Sequence, residues 1–218
     1  MTTPTQCGSG FLIEFEENGR TRKGFLTCHH VIFQGSVEAD LAQVILDFQN
    51  PHYACTLADI KSADFMPKYE SNLDYYYVEV SDQFSTNIEN EGIRFLRRNL
   101  GRNSFNTFFL VHYPGGKQRT ASIGEFFIFQ HGNIANSDLM TRVNSEPGSG
   151  GGALIEPNKD AFVFAMHTGA SINETVKHST LIAYIIADIT GQDMSPWGMP
   201  DRVADSFVSV IGIALFFM

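Results

Sequence analysis

Short apolar stretches bounded by turn-forming residues recur along most of the chain. Aromatic and β-branched residues dominate these stretches, a composition that favours strands over helices. Strands are predicted at 10–16, 23–28, 44–48, 54–65, 74–80, 107–113, 119–130, 139–144, 153–156 and 161–168, with a short helix within 37–48 as the alternative to the strand at 44–48. The last apolar stretch, 180–189, fits a strand or a strand that turns into a helix. Many short strands at close spacing predict an all-β barrel or sandwich.

A polar stretch of mixed composition separates two groups of predicted strands. We therefore expect an N-terminal domain at 1–85, a linker at 86–102, a C-terminal domain at 103–190 and a tail at 191–218. The end of the tail, 207–218, is nearly all apolar but shorter than the ~20 residues that cross a bilayer. It is predicted to dock on the core or to be a truncation artefact, with membrane association as the less favoured alternative.

The composition narrows the class of protein. Of 218 residues, 43% are hydrophobic and 18% are charged, which is enough for one or two small packed domains. A net charge of −9 argues against nucleic acid as a partner. Three cysteines are too few for a disulfide framework, and the first residues lack the basic and apolar segments of a secretory signal. We expect a cytoplasmic, intracellular protein.

The stretch 146–154, Glu-Pro-Gly-Ser-Gly-Gly-Gly-Ala-Leu, is a glycine-rich turn that runs into an apolar strand. Such a turn can present its backbone N–H groups to an anion. A phosphate cradle would need a Lys followed by Ser or Thr and then a helix, none of which is predicted after these glycines. The alternative use is an oxyanion hole beside a nucleophile. The sequence favours this second use.

Three motifs in chain order resemble those of one enzyme family. Residues 26–32, Leu-Thr-Cys-His-His-Val-Ile, are similar to a Thr-x-x-His motif, and Asp74 opens an apolar strand as a buried catalytic carboxylate does. The turn at 146–154 is similar to a Gly-x-Ser-Gly-Gly motif. Together they resemble the trypsin-like serine proteases, in an intracellular, bacterial or glutamyl-endopeptidase branch. Further likenesses at 7–13, 111–116 and 164–170 extend this resemblance over about 7–190.

The resemblance implies a fold, an activity and site residues. The implied fold is all-β, with two antiparallel six-stranded barrels and a short C-terminal helix. The implied base is His30, oriented by Asp74, and the implied oxyanion-hole donor is the N–H of Gly148. The implied substrate is a peptide or protein, with no cofactor and no metal. Cys28, His29 and His30 are poor joint metal ligands, since neighbouring side chains on a strand point to opposite faces.

One position departs from the family pattern, because Gly150 occupies the slot of the nucleophile. If Ser149 were the nucleophile instead, the donor two residues earlier would be Pro147, which has no N–H. This favours Gly150 in the slot and leaves Ser149 as the alternative nucleophile. The protease domain is then inactive as written, through natural decay, engineering or an error in the sequence. A pseudoprotease that binds peptides or proteins is the alternative function.

The same alignment implies a specificity pocket. Asn144 would lie at its base, Ser145 beside it and His167 on its wall, while Thr168 and Gly169 would pair with the substrate backbone. The motif at 167–170 resembles the His-x-Gly-Gly of glutamyl endopeptidases, whose histidine binds a Glu or Gln side chain. A structural histidine within a strand is the competing interpretation of His167.

Overall fold

The computed structural model describes residues 7–33, 43–46, 53–98, 107–126, 138–156, 162–170 and 176–192. These residues form the strands β1 (Gly10–Glu17), β2 (Arg20–Thr27), β3 (Gln43–Leu46), β4 (Tyr53–Thr56), β5 (Lys68–Glu70), β6 (Tyr75–Glu79), β7 (Leu96–Arg98), β8 (Thr107–His112), β9 (Thr120–Phe126), β10 (Asp138–Val143), β11 (Ala153–Ile155), β12 (Phe162–Ala170) and β13 (Lys177–Leu181). The helices are α1 (His29–Phe33), α2 (Leu57–Ile60), α3 (Asp82–Asn90) and α4 (Ile182–Thr190), with a 3₁₀ turn at Pro114–Gly116.

The C-terminal half is a closed barrel of six antiparallel strands. Its strands follow the order β11-β8-β9-β10-β13-β12, and β12 pairs back with β11 to close the circle. Large apolar side chains such as Phe108, Leu154 and Phe164 fill it. Closure leaves no free strand edge, and it gives the glycine turn before β11 a rigid base.

The N-terminal half continues the same sheet in the order β7-β1-β2-β6-β5, while β3 and β4 pair separately. The turn between β1 and β2 consists of Asn18 and Gly19, whose φ angles of 51° and 77° are both positive. Asn and Gly tolerate this conformation, which gives a tight hairpin the right-handed twist of its strands. The predicted hairpin and the all-β fold are confirmed.

Short strand β7 joins the two halves. It pairs in parallel with β1 through Leu96 opposite Ile13, and with β12 through Arg97 opposite Phe162. The stretch predicted as a linker, 86–102, therefore contains most of α3 and a strand shared by both halves. One apolar cluster includes residues from each half, while a second cluster lies inside the C-terminal barrel.

One predicted strand is shorter in the structure. The strand predicted at 54–65 ends at Thr56, because Thr56 and Asp59 form a capping box that starts α2. The stretch 180–189 is a strand that turns into a helix, the second of the two predicted alternatives: β13 is followed by α4, which is capped by Gly191 with a φ of 65°. The apolar tail at 207–218 lies outside the described residues. Among the described helices, none is long and apolar enough to cross a membrane.

Candidate active site

His30 and Asp74 meet where two paired strands end. β2 and β6 pair through Thr27 and Tyr76, so α1 after β2 lies beside the residue that precedes β6. His30 Nδ1 lies 2.7 Å from Asp74 Oδ2, and the His30 backbone N–H donates to Oδ1 at 3.0 Å. One carboxylate thus fixes both the backbone and the ring of the histidine, leaving Nε2 for a partner on the other side.

The turn that carries Asp74 is held on both sides. Asp74 has a φ of 49°, a left-handed conformation that Asp adopts more readily than most residues. Its carbonyl accepts from the His29 N–H at 3.1 Å. The preceding Leu73 N–H donates to the Glu70 carboxylate at 2.8 Å, and the Leu73 carbonyl accepts from the Thr180 hydroxyl at 2.9 Å. Strand β13 of the second barrel therefore helps to hold the carboxylate in place.

Cys28 lies beneath this pair. Its thiol is fully buried and donates to the His167 carbonyl at 3.3 Å. Burial, with the nearby Asp74 charge, raises the pKa of the thiol well above its usual value, so it stays protonated. Ligand atoms of Cys28, His30 and Asp74 lie within 4.8 Å of one another. Hydrogen bonds already engage the ring nitrogen and the carboxylate, and a protonated thiol is a poor metal ligand.

Residue 150 faces the free nitrogen of His30. A Cβ atom built on Gly150 would lie 2.9 Å from His30 Nε2 and 3.1 Å from Cε1. The described glycines with positive φ include Gly148 and Gly151 but not Gly150, so position 150 has backbone angles open to other residues. The geometry brings together His30, Asp74 and position 150, the three positions predicted as base, orienter and nucleophile slot.

Ser9 holds the two carbonyl groups on either side of residue 149. Its hydroxyl donates to the Gly148 carbonyl at 2.8 Å, and its N–H donates to the Gly150 carbonyl at 2.7 Å. The hydroxyl also accepts from the Tyr113 N–H at 2.8 Å, and the Ser9 carbonyl accepts from the Thr27 hydroxyl at 2.6 Å. One buried residue of the first half therefore positions the glycine turn of the second.

The remaining carbonyls of the turn are also engaged. The Pro147 carbonyl accepts from the Gly115 N–H at 2.6 Å, and the Ser149 carbonyl accepts from the Gly152 N–H at 3.0 Å. In a trans peptide the carbonyl and the following N–H point in opposite directions. The N–H groups of residues 148 and 150 are therefore turned away from these bonds.

The N–H groups of the turn alternate between bonded and free. Those of Ser149 and Gly151 donate to backbone carbonyls at 3.0 and 2.8 Å. Those of Gly148 and Gly150 have no acceptor in the part of the chain that the structure describes. Two free N–H groups two residues apart in a glycine-rich turn form the kind of concavity that binds anions.

Ser149, the alternative nucleophile, is directed into the barrel. It is 1% exposed, and its hydroxyl lies 2.6 Å from His112 Nδ1 and accepts from the Glu146 N–H at 3.0 Å. His112 Nε2 lies 3.0 Å from the Ser122 hydroxyl. Burial lowers the pKa of His112 to about 4, opposed by the Glu146 charge. The Ser149–His112 pair supports the turn from below, and neither residue forms a hydrogen bond with His30 within the described structure.

His167 is buried at 2% exposure on β12, where burial lowers its pKa to about 3. Its Nδ1 atom has no hydrogen-bond partner in the described structure, and neither has the hydroxyl of Ser179, which lies opposite it on β13. Asn144 is exposed and Ser145 is half-buried. Neither forms a hydrogen bond with His167 within the described ranges. Asn144, Ser145 and His167 are thus not linked to one another by hydrogen bonds in the described part of the chain.

Thr168 and Gly169 are half-buried on β12, and the ladder with β13 shifts register between His167 and Gly169. The glycine turn leads directly into β11, so the helix that a phosphate cradle requires is not there. No motif in the sequence marks Ser9, His112 or Thr180 as residues that support the site. Ser9 stood within a matched motif, but its role depends on partners far along the chain.

Comparison with known proteins adds information about the fold. No protein-family model and no curated protein sequence matches this chain. The protease domain of the Sesbania Mosaic Virus polyprotein is 15% identical, with a TM-score of 0.53 over 85% of this chain and 86% of that one. An HtrA-type protease, AlgW with a tripeptide, is 13% identical, with a TM-score of 0.52 over 87% of this chain and 62% of that one.

The serine endoprotease from Yersinia pestis is 13% identical, with a TM-score of 0.51 over 84% of this chain and 61% of that one. At identities this low, the structural similarity shows the fold alone. The chemistry has to be inferred from the residues of this chain. The closed six-stranded barrel and the sheet that continues into the first half are consistent with the fold of these neighbours. The chain has the chymotrypsin-like double-barrel fold of the trypsin-like serine proteases.

Proposed function

We propose that this chain is a trypsin-like serine endopeptidase domain in which all the catalytic groups except the nucleophile are retained. His30 is the general base, Asp74 orients it, and the N–H groups of Gly148 and Gly150 form the oxyanion hole. The observation that carries the proposal is the His30–Asp74 hydrogen bond at 2.7 Å, with Nε2 facing position 150. A peptide or protein is the substrate.

Without a hydroxyl at position 150 the chain cannot form an acyl intermediate there. Water activated by His30 is the remaining nucleophile, acting on a carbonyl polarised by the two N–H groups. Serine proteases that lose one member of their triad keep roughly 10³–10⁴-fold of rate over water. The chain as written should therefore hydrolyse peptides at a residual rate. Ser149 does not replace the nucleophile, because its hydroxyl is buried against His112.

A second candidate function is a pseudoprotease that binds peptides in the same cleft. Gly150 favours it, since the intact His30–Asp74 pair and the two free N–H groups persist beside a residue without a side chain. The two functions predict different results for Gly150→Ser: a retained protease site becomes reactive, whereas a pseudoprotease stays inert. Either function uses a cytoplasmic peptide or protein as partner.

Substrate preference is proposed to depend on His167. Its Nδ1 atom, buried without a partner, is a polar group that a Glu or Gln side chain would satisfy. Since the ring is only 2% exposed, the substrate side chain would have to displace neighbouring atoms to reach it. Thr168 and Gly169 would pair with the substrate backbone, with Asn144 at the pocket base and Ser145 beside it.

The decisive experiment is Gly150→Ser with a fluorophosphonate probe. A Cβ at 150 lies 2.9 Å from Nε2, so the end of the His30 ring must retreat by a few tenths of an ångström. The new hydroxyl then lies beside the base, and we expect labelling at residue 150 and acylation faster by several orders of magnitude. Mass spectrometry of the labelled peptide identifies the site.

Gly150→Ala and the double variant Gly150→Ser with His30→Ala are the controls. The first adds a Cβ without a hydroxyl, and the second adds the hydroxyl without its base. Neither should be labelled. If Gly150→Ser stays inert with His30 and Asp74 intact, the pseudoprotease function is the better description. Labelling of Ser149 in the unmutated chain would show that Ser149, and not position 150, occupies the nucleophile slot.

A further inference from the structure

We propose that the apolar segment 207–218 docks on an exposed aromatic surface of the N-terminal half of the same chain. This surface, called the aromatic face, consists of His29 and Phe33 on α1 and Tyr69 on β5. The inference goes beyond the proposed protease function, since it uses neither the catalytic pair nor the glycine turn. The partner that this surface fits is an uncharged segment rich in apolar and aromatic residues.

The aromatic face is one continuous surface. The rings of His29 and Phe33 stack, with their centroids 4.4 Å apart and their planes at 30°. The Tyr69 ring lies 5.2 Å from Phe33 and 5.7 Å from His29. Below them is Tyr76, which is 1% exposed and whose ring lies 5.7 Å from Phe33 and 6.2 Å from Tyr69. Because a buried ring supports it, the surface has a fixed shape on which another segment can pack.

The aromatic face is open to solvent. Phe33 is 46% exposed and Tyr69 is 55% exposed. Helix α1 consists of two histidines and three apolar residues, yet none of the five is fully buried. Single exposed apolar side chains are common, whereas a contiguous group of them marks an interaction site. Within the described structure, α1 and β5 therefore present apolar rings that no element covers.

Segment 207–218 has the composition that such a surface requires. It carries no charge, and Ser209 is its one polar side chain. Phe207, Phe216 and Phe217 are aromatic, and aromatic rings attract one another in offset and edge-to-face contacts. With twelve residues, the segment is shorter than the ~20 that cross a bilayer. Packing against an apolar surface of the protein removes these side chains from water.

The end of α4 brings the chain close to the aromatic face. Asp188 on α4 accepts a hydrogen bond from Tyr75, and Tyr75 directly precedes Tyr76, which lies beneath the face. Successive side chains of a strand point to opposite sides, so the connection from α4 has to pass around β6, a path on the order of the ~10 Å between packed layers. The 14 residues of 193–206 can span roughly 46 Å at about 3.3 Å per residue. The connection is therefore long enough.

The test is a photocrosslink in the full chain, with Phe33→p-benzoylphenylalanine as the probe. Trypsin cleaves after Arg202, so the segment is recovered in the peptide 203–218. We expect mass spectrometry to find position 33 linked to this peptide. An equal mixture of unlabelled and ¹⁵N-labelled chains should give linked peptides that each contain a single isotope, because the link forms within one molecule.

Ile123→p-benzoylphenylalanine is the matched control. Ile123 is 69% exposed on β9 of the C-terminal barrel, so a probe there is at least as accessible as one at position 33. It should not link to the peptide 203–218. In the chain with the probe at position 33, Phe216→Ser together with Phe217→Ser should lower the yield at least about fivefold, since two apolar side chains no longer gain from burial. Ser209→Ala should leave the yield unchanged.

Linked peptides of mixed isotope would assign the occupant to a second copy of the chain and overturn docking within one molecule. A link from position 33 to a different peptide would overturn the choice of segment, and equal links from both probe positions would mean non-specific contact. No link, or a yield that the two phenylalanine changes leave unaltered, would also overturn the proposal. None of these outcomes affects the labelling of Gly150→Ser, which tests the protease function separately.

Discussion

His167 is a buried residue whose hydrogen-bonding capacity is not fully satisfied. Its ring sits in the barrel wall, and its Nδ1 atom lacks a partner among the described residues. Such an atom costs about 1–3 kcal/mol when nothing satisfies it. A ligand group that forms the missing hydrogen bond would remove this unfavourable free energy on binding. This is the basis for the proposed preference for Glu or Gln.

We predict that, in the Gly150→Ser form, His167→Ala lowers kcat/KM for peptides with Glu or Gln before the scissile bond more than for Ala or Leu. Loss of a contact worth about 1–3 kcal/mol corresponds to roughly 5–150-fold. Steady-state kinetics on the four matched peptides measures it. An equal loss for all four would assign a purely structural role to His167.

Two buried histidines also predict how stability depends on pH. Burial lowers the pKa of His112 to about 4 and that of His167 to about 3, the latter also through the charges of His112, Lys177 and His30. In the unfolded chain both return to about 6.5. Protonation therefore favours unfolding, so this stability is complete above about pH 6.5 and decreases as the pH falls towards 4. Each ring contributes up to about 1.4 kcal/mol per pH unit.

Urea unfolding at pH 7, 6 and 5 should show this loss. His112→Gln removes one titrating ring and should lower the slope of the unfolding free energy against pH. An unchanged slope in the variant would mean that His112 already binds a proton at its ordinary pKa in the folded chain.

At the scale of elements, helix α4 holds strand β6, which directly follows Asp74. The Tyr75 hydroxyl, directly after Asp74, donates to the Asp188 carboxylate on α4. Burial, together with this bond, raises the pKa of Tyr75 far above its usual value, so the hydroxyl keeps its proton. With Thr180 on β13, the second barrel contacts the residues on both sides of Asp74.

We predict that Tyr75→Phe lowers the unfolding free energy by about 1–2 kcal/mol, because a charge-assisted hydrogen bond is lost. It should also speed hydrogen exchange of the His29 amide, which donates to the Asp74 carbonyl. Tyr184→Phe is the matched control on the same helix, since its hydroxyl has no hydrogen bond within the described structure. Equal effects of the two variants would argue against a specific role for the Tyr75–Asp188 bond.

At the scale of the whole molecule, the two halves are not independent. β7 pairs with strands of both, and one core cluster draws residues from each. Leu96 on β7 is 1% exposed within that core. Such a connection favours a single cooperative unfolding transition over two separate ones.

We predict a β-dominated far-UV circular dichroism spectrum and one unfolding transition. Leu96→Ala should lower stability by about 2–5 kcal/mol without separating that transition, because it opens a cavity in the shared core. Ile123→Ala, at a residue 69% exposed, should change stability by less than about 0.5 kcal/mol. Two resolved transitions, seen by near- and far-UV signals that do not coincide, would show that the barrels fold separately.

The sequence predicted features that depend on local signals. The Asn18-Gly19 hairpin, the strands around Asp74 and the glycine turn before β11 all follow from turn residues and apolar patterns. The capping box of Thr56 and Asp59 is also visible in the sequence, but the apolar pattern of 54–65 predicts one long strand. The position of β7 could not be predicted, because three residues in a polar stretch carry no signal for parallel pairing.

The parts of the site that were missed depend on distant partners. Ser9, His112 and Thr180 are small or polar residues whose roles arise only when the barrels meet. No local pattern distinguishes a serine that holds a turn 139 positions away from one that faces water. Motifs could identify His30 and Asp74, whereas the groups that position them needed the tertiary structure.

The Ser9 contacts have a consequence for biosynthesis. Ser9 leaves the ribosome early, while the carbonyl group of Gly148 that it holds is made 139 residues later. Contacts of such long sequence separation form late, since a long loop must close before they contribute. A nascent chain therefore carries His30 and Asp74 well before it can align the donors opposite them. Ribosome-bound fragments that end before Gly148 therefore lack the two free N–H groups of the glycine turn.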